Sequence, residues 1–560
     1  MKKNKFFSLF SATVVAASLG LTSCELDLAP IDYYGANSFW TTEAQAIGDI
    51  HAMMQHFRTF DFQTNITYGE IRGGAYTLET TGSDGSNLAA AYLREQNLSV
   101  TNYGVANFGN YWGLIANVNL FIARVEPADY FSSEETKNYC LGMAYGMRAY
   151  YYFILYRAYG GVPLRLIPDV ADGNYDPVTL YMKRAQPSEV MAQIKKDITT
   201  SLNYFGNQTT FNFDNESGNA KYYWSKAATE MLAGEVYLWN SKVTIGDQAA
   251  DKNNLATAKT HFQNVINNYG LGLQGDFSAV FDPENKQNSE IIMAFKYDEN
   301  EASNGFSGYC YSATTGLTLG NAFDINGETW ADPLRIGGNV HYYQYSNALW
   351  YQYDEADTRR DATFISSWHD KEATQLRGTF VRKHIGSISA LTSYRTYDSD
   401  RAIYRLPLAY LSLAEIANME GDNTGVKNNI NKIRERAYGD AWSEDVYGYT
   451  PGSFAENEVA ILHEKDKEFV QEGQRWWDVC RMSVSSACGT TDHLVFHNEG
   501  HVAYGLAVND LREATSKSWA EANSITVQPL LSTENAYRVL WPIDTSTLSS
   551  DTELEQTPGY

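Results

Sequence analysis

MRAYYYFILYRAYGGVPL, residues 147–164, joins a helical run dense in Ala, Gly and Tyr to an abrupt stop. Gly160-Gly161-Val162-Pro163 ends the run, because glycine releases the backbone and proline cannot continue a helix. The same helix extends back to Lys137, and the block before it, Trp112–Val125, carries apolar residues at spacings of three and four. Beyond the stop, Pro187-Ser188-Glu189 opens VMAQIKKDITTSL, and further helical blocks run over Trp224–Trp239, Leu255–Tyr269, Pro407–Met419 and Val426–Ala437. Ala227, Ala228, Ala233 and Gly234, then Ala256 and Ala258, stand where neighbouring helices need to approach closely, a tetratricopeptide-type rhythm interrupted by long insertions. Between 270 and 400 the texture changes to Gly, Ser, Asn and aromatic residues, with Glu290–Phe295 the best strand candidate. The pattern predicts a mainly α chain in which irregular helix pairs scaffold a loop-rich region with few short strands.

The N-terminus carries a basic start (Lys2, Lys3, Lys5) and an apolar stretch from Phe6 to Leu21 that is too short for a stable span, which reads as an export signal. Leu21-Thr22-Ser23-Cys24 resembles a lipobox, so residues 1–23 are expected to be removed and Cys24 acylated, tethering a water-exposed body by lipid. The formal charge is −24, and losing three lysines with residues 1–23 carries it to −27. Such a balance excludes nucleic acid as a partner, since phosphates demand a cationic surface. Cys140, Cys310, Cys480 and Cys488 remain after Cys24 and form no CxxC pair; a Cys480–Cys488 bridge and buried thiols both stay open.

Several fragments, in order, make the chain resemble the SusD/RagB family of outer-membrane nutrient-binding lipoproteins of Bacteroidetes. They are CELDLAP and SFWTTEAQA, the 147–164 stretch, WSKAATEMLAGEVYLW (224–239), DEADTRRDATF (354–364), YRLPLAYLSLAEIANMEGD (404–422), INKIRERA (430–437), EKDKEFVQEGQRWWDVCR (464–481), WPID and EQTPGY. Pro407, Glu464-Lys465 and Thr557 depart from the family's usual residues. The resemblance implies one SusD-like unit over 24–560, with an N-terminal region to 270 and a C-terminal region from 271 that holds the insertion 271–400. It also implies capture of oligosaccharides, or of peptides in some relatives, and delivery to a SusC-like TonB-dependent transporter. Arg475-Trp476-Trp477-Asp478 is expected to be a buried ion-pair and packing anchor. Arg148 is expected to pack its stem on rings and bond a helix terminus, and Gln556–Tyr560 to close over the helical core.

The family places its ligand on a face that corresponds here to residues 66–96 and 300–350. Sugars present C–H patches ringed by hydroxyls, so such a face needs exposed aromatic rings bordered by carboxylate, amide or guanidinium groups. Tyr68, Arg72, Tyr76, Glu79, Asp84 and Asn87 supply that composition in the first segment; Phe306, Tyr309, Tyr311 and Trp330 do so in the second. The site expected is Trp330, Tyr309, Phe306, Tyr76, Asp84, Arg72 and Tyr68, with Trp330 foremost and Trp368-His369-Asp370 weaker. Trp350 and Tyr351 read as structural. Catalysis finds no motif: His463-Glu464 lacks a second histidine, and Gly305-Phe306-Ser307-Gly308 is no nucleophile elbow. Asp214–Gly218 has part of a calcium-loop pattern without the full ligand spacing; no cofactor is expected, with a bound calcium ion there as the alternative.

Overall fold

The computed structural model describes residues 39–73, 75–76, 98–101, 108–168, 177–209, 220–311, 322–337, 345, 347–482 and 537–560. Cys24, Asp84, Cys488 and the 214–218 loop lie outside the described residues. The main helices are α1 (Glu43–Gly69), α2 (Asn110–Val125), α3 (Glu134–Tyr159), α4 (Pro187–Phe205), α5 (Lys226–Lys242) and α6 (Asn254–Asn268). After the insertion follow α7 (Pro407–Glu420), α8 (Asn423–Tyr438), α9 (Phe454–Glu468) and α10 (Arg475–Met482). Their ends follow local chemistry. Ser133 and Ser225 accept N–H bonds as caps for α3 and α5, Pro187 occupies the first turn of α4, and Gly160 (φ 75°) ends α3 as the sequence predicts.

Helices pack in pairs, α3 on α4, α5 on α6 and α7 on α8. Small residues permit this. A Cβ at Gly234 would stand 2.5 Å from the Phe262 ring, and one at Gly146 would strike Trp224. Ala227, Ala228, Ala233 and Ala258 are buried, whereas Ala256 is exposed and takes no part in the helix contact the sequence suggests. The block pattern passes over α9 and the 27-residue α1, although in α1 Ala46, Ile50, Met53, Met54 and Phe57 form a buried stripe and Thr42 with Gln45 builds a capping box.

Two antiparallel pairs complete the described insertion: β1 (Ile291–Phe295) with β4 (Arg401–Arg405), aligned Ile291 to Arg405 and Phe295 to Arg401, and β2 (Phe364–Trp368) with β3 (Leu376–Val381). Glu290–Phe295 is thus a strand as predicted.

Among the described residues, buried charge gathers in two large clusters. Arg359, Arg405 and Arg436 converge on Glu468, with Glu290, Glu464, Glu472 and Asp357 completing the cluster. Behind it, Lys242, Lys465 and Arg481 meet Glu415, Glu458 and Asp478. The Arg475–Asp478 segment is therefore the anchor expected, Arg475 pairing with Asp466. Arg148 differs from expectation: its guanidinium grips Asp197 in mid-α4 at 2.8 and 2.7 Å and Asn119 at 2.9 Å, not a helix terminus, while lying 5.0 Å over the Tyr145 ring.

The C-terminal strap closes the helical core. Trp541 N–H donates to Ala158 O (2.8 Å), the Gln556 amide bonds both N–H and C=O of Ile543, and Tyr560 Oη donates to Leu540 O (3.0 Å).

One carboxyl on α1 opposes folding. Burial pushes Asp49 up to about 6. A raised folded value means that its contribution is fully favourable below the unfolded value of 3.8 and is lost as pH rises through about 6. Asp49→Asn is expected to stabilise the protein by about 2–3 kcal/mol at pH 8 and by nothing at pH 3.5. Denaturant unfolding at the two pH values checks this.

Candidate ligand-binding face

The two segments expected to carry ligand meet. Tyr76 and Tyr345 form an antiparallel bridge; Tyr76 Oη donates to Tyr345 Oη (2.8 Å), their ring centroids are 4.3 Å apart, and Tyr309 lies 6.3 Å from Tyr76. Phe306 packs against Tyr309 and His384. Tyr345 Oη in turn donates to Glu70, whose carboxylate also accepts the N–H of Gln471 (2.9 Å) and Gly473 (2.8 Å). Gln471 sits in the left-handed region (φ 64°), a costly position for a side chain that these bonds hold in place. Burial raises Glu70 above the usual carboxylate value, and the Tyr345 hydroxyl, the two N–H groups and Lys383 pull it back.

This is a base rather than a platform, which corrects the sequence reading. Trp330 is 2 % exposed, Tyr309 6 %, Phe306 3 % and Tyr76 4 %, and Tyr68 and Arg72 are fully buried. None offers the open ring face or free guanidinium that sugar stacking needs. Each has a packing reason. Trp330 stands edge-on to Tyr311 (5.3 Å) and beside Phe380, over a turn in which Asp332 takes φ 50° and accepts Tyr311 Oη, Ile336 N–H and Gly337 N–H. Tyr68 bonds Tyr159 Oη and abuts Trp541, while Arg72 lies 4.2 Å over Trp476 and donates to the Arg538 and Val539 carbonyls. Those two belong to the closure by the C-terminal strap, not to the Tyr76–Tyr345 junction.

Trp350 is buried against Trp368 (5.7 Å), consistent with a structural role, but Tyr351 is 56 % exposed. Trp368 is a strand residue in the core, and Asp370 is spent on the Thr374 and Gln375 backbone. The residues that sequence reasoning misses are Glu70, Tyr345, Gln471 and Gly473. Their signal is the glycines at 69, 73 and 473 that frame them, small where two backbones touch.

Among the described residues no group of three or more His, Cys, Asp and Glu is arranged to hold a metal ion, and no helix is long and apolar enough to cross a membrane.

A helix-pair scaffold with a loop-bearing face of this kind defines a class of binding protein, and comparison with known proteins places the chain within it. Residues 370–560 match the model of the SusD family, and residues 49–238 match a model described as starch-binding associating with outer membrane. A SusD superfamily protein of Bacteroides fragilis is 45 % identical, with 93 % of this chain and 100 % of that one covered at a TM-score of 0.80. Bacteroides fragilis NanU is 28 % identical over 95 % of this chain and 100 % of its own, with a TM-score of 0.74. The SusD-like protein P38 of Formosa agariphila is 25 % identical over 86 % of this chain and 92 % of its own. The chain belongs to the SusD family.

Proposed function

We propose that the protein is a non-catalytic, glycan-binding lipoprotein of the outer membrane, held by lipid at Cys24 and facing the exterior, that captures oligosaccharides and passes them to a SusC-like TonB-dependent transporter. The observation that carries this reading is the junction at Tyr76 and Tyr345: the two segments expected to bear ligand contacts are rooted in one rigid base, bonded through Glu70 to the 471–473 turn. A fixed root keeps contact loops from both segments within reach of one glycan and limits the entropy lost on binding. The net charge of −24 favours neutral over polyanionic cargo. Capture needs only stacking and polar contacts of modest strength, so that cargo is released onward.

Native affinity electrophoresis of the chain from Glu25 to Tyr560 against plant, microbial and host polysaccharides tests the reading, with peptide calorimetry in parallel. Retardation by one neutral polysaccharide class is the expected result. Peptide binding without retardation would replace glycan by peptide as the cargo.

A further inference from the structure

Three aromatic rings are exposed among the described residues: Phe60, Tyr351 and Tyr394. Phe60 stands on α1, and Tyr351 ends a short helix with its ring edge-on to Trp350 (5.2 Å), whereas Tyr394 sits in the loop-rich insertion. Its ring is 51 % exposed, unlike the buried rings of the Tyr76–Tyr345 base. A Cβ at Gly337 would lie 3.2 Å from Tyr394 Cδ1 and nearly as close to Cγ and Cε1 (3.4 and 3.5 Å), which puts it over the ring face and not at its edge. One face of Tyr394 therefore rests on bare glycine backbone, and the other is open to water.

The ring is held in position. Ser389 N–H donates to the Tyr394 carbonyl (2.9 Å), the Ser389 hydroxyl accepts the N–H groups of Leu391 (3.2 Å) and Thr392 (3.3 Å), and Thr392 Oγ1 accepts Tyr394 N–H (3.3 Å). Arg395 ties this hairpin to the segment beneath it. Its N–H bonds the Arg335 carbonyl (2.9 Å), and its guanidinium bonds the carbonyls of Leu334 (3.0 Å) and Gly386 (2.6 Å). Asp332, Arg335, Ser393 and Tyr397 all take positive φ, half of the eight non-glycine residues that do so among the described ones. Their gathering around one exposed ring marks a shape that the fold maintains against local preference, as ligand-contact sites do.

The border of the ring has the groups that a sugar needs. From Ile385 to Tyr394 no residue is charged, and Ile388, Ala390, Leu391 and Thr392 are exposed beside the ring. Asp332 is engaged by Tyr311 Oη and two N–H groups, Asp398 by Ser387 and Thr396, and Arg395 by carbonyls. Arg335 and Arg382, by contrast, are exposed, and neither guanidinium has a partner among the described residues. Arg335 is the one tied to the ring's own hairpin, through its carbonyl and Arg395 N–H.

We infer that Tyr394 is a stacking platform for one pyranose unit of the glycan, with the sugar's C–H face on the open side of the ring and an oxygen acceptor at its edge, hydroxyl or carboxylate, on Arg335. The inference rests on the glycan reading above and gives that reading a contact surface. The surface belongs to the same lobe as the segment expected to bear ligand: Asn304 N–H donates to the Tyr397 carbonyl (2.9 Å), and Leu334, Ile336 and Tyr397 share a core with Trp330. Trp330, expected as the platform, is part of the packing that supports it.

The test is calorimetry of the chain from Glu25 to Tyr560 with hexasaccharides of α-glucan, β-glucan, mannan and xylan and with a glucuronic-acid-bearing xylan oligosaccharide, alongside hydrogen–deuterium exchange. Tyr394→Ala removes the ring at an exposed position, Tyr394→Phe keeps it, and Arg335→Gln keeps a donor without the charge. On whichever sugar the parent binds, the expected result is affinity about tenfold lower in Tyr394→Ala and within about twofold of the parent in Tyr394→Phe, with sugar-dependent protection of residues 333–337 and 387–397. A loss in Arg335→Gln confined to the glucuronic-acid oligosaccharide assigns the acceptor to a carboxylate, and a loss of about threefold on a neutral sugar assigns it to a hydroxyl. No loss on any sugar would overturn the part given to Arg335. Parent-like binding by Tyr394→Ala, or protection that avoids both segments, would overturn the platform and leave the glycan reading standing. Binding of no sugar by the parent would overturn both.

Discussion

Glu468→Ala lowers the unfolding free energy by about 4 kcal/mol. Glu468 is fully buried and receives Arg359 (3.1 Å), Arg405 (2.5 Å) and Arg436 together, so its removal leaves three guanidinium groups short of one shared counter-charge in a place water does not reach. Breaking one partner out of a buried ionic group costs about 3–5 kcal/mol, because the remaining charge is stranded. The three arginines beside it hold Glu468 well below the usual carboxylate range, against the opposing effect of burial. A lowered folded value means that this stabilisation is complete above the unfolded value of 4.5 and is lost as pH falls through the folded one. Parent and variant are therefore expected to differ most at neutral pH and to converge in strong acid. Urea unfolding at pH 7 and pH 3 measures both; a difference under about 1 kcal/mol at pH 7 would mean that the cluster relaxes around the gap.

Gly69→Ala and Gly48→Ala, two substitutions in one helix, are expected to act in opposite directions. A methyl group at Gly48 meets nothing within 4 Å, so the alanine gains about 0.5–1 kcal/mol of helix propensity. At Gly69 the same methyl overlaps the Gly473 carbonyl and comes within 2.7 Å of Trp477 Nε1. The turn at 471–473 must then move off α1, and with it go the bonds from Gln471 and Gly473 to Glu70. Overpacking costs about 1–3 kcal/mol, and each hydrogen bond to a charged group about 1.5–3 more, so a loss of about 4 kcal/mol is expected. Glycan binding is expected to fall with it, since the base displaced roots the two segments proposed to bear ligand. Thermal unfolding and affinity electrophoresis of the two variants side by side check the sign and the coupling.

Much of the scaffold was open to reading because its signals are local. Serine and proline caps, glycine stops and apolar spacing place α2 through α8 within a few residues of their observed ends. α1 carries the same stripe but is interrupted by polar residues on its outward side, His51, Gln55 and Arg58, which dilute the pattern. The candidate site was harder because residue type does not encode exposure. A tyrosine in a glycine-rich loop reads as a sugar platform, yet its hydroxyl is equally satisfied by a buried carboxylate, as Tyr345 is by Glu70. Trp330 looks solvent-facing between Gly327 and Asp332, but the left-handed turn at Asp332 folds the segment back over it. Glu70 itself carries no sequence sign of burial; its partners stand some 400 positions away, at Gln471 and Gly473.

The strap at 541–560 has a consequence for how the chain is born. Arg72 binds carbonyls 467 positions further on, at Arg538 and Val539, and the Ala158 carbonyl bonds the N–H of Trp541. A chain made N-terminus first thus exposes aromatic helix surface long before the segment that covers it is made. Contacts so distant in sequence make folding slow and the half-made state prone to aggregate. Whether the final stretch has docked therefore separates a finished molecule from an unfinished one.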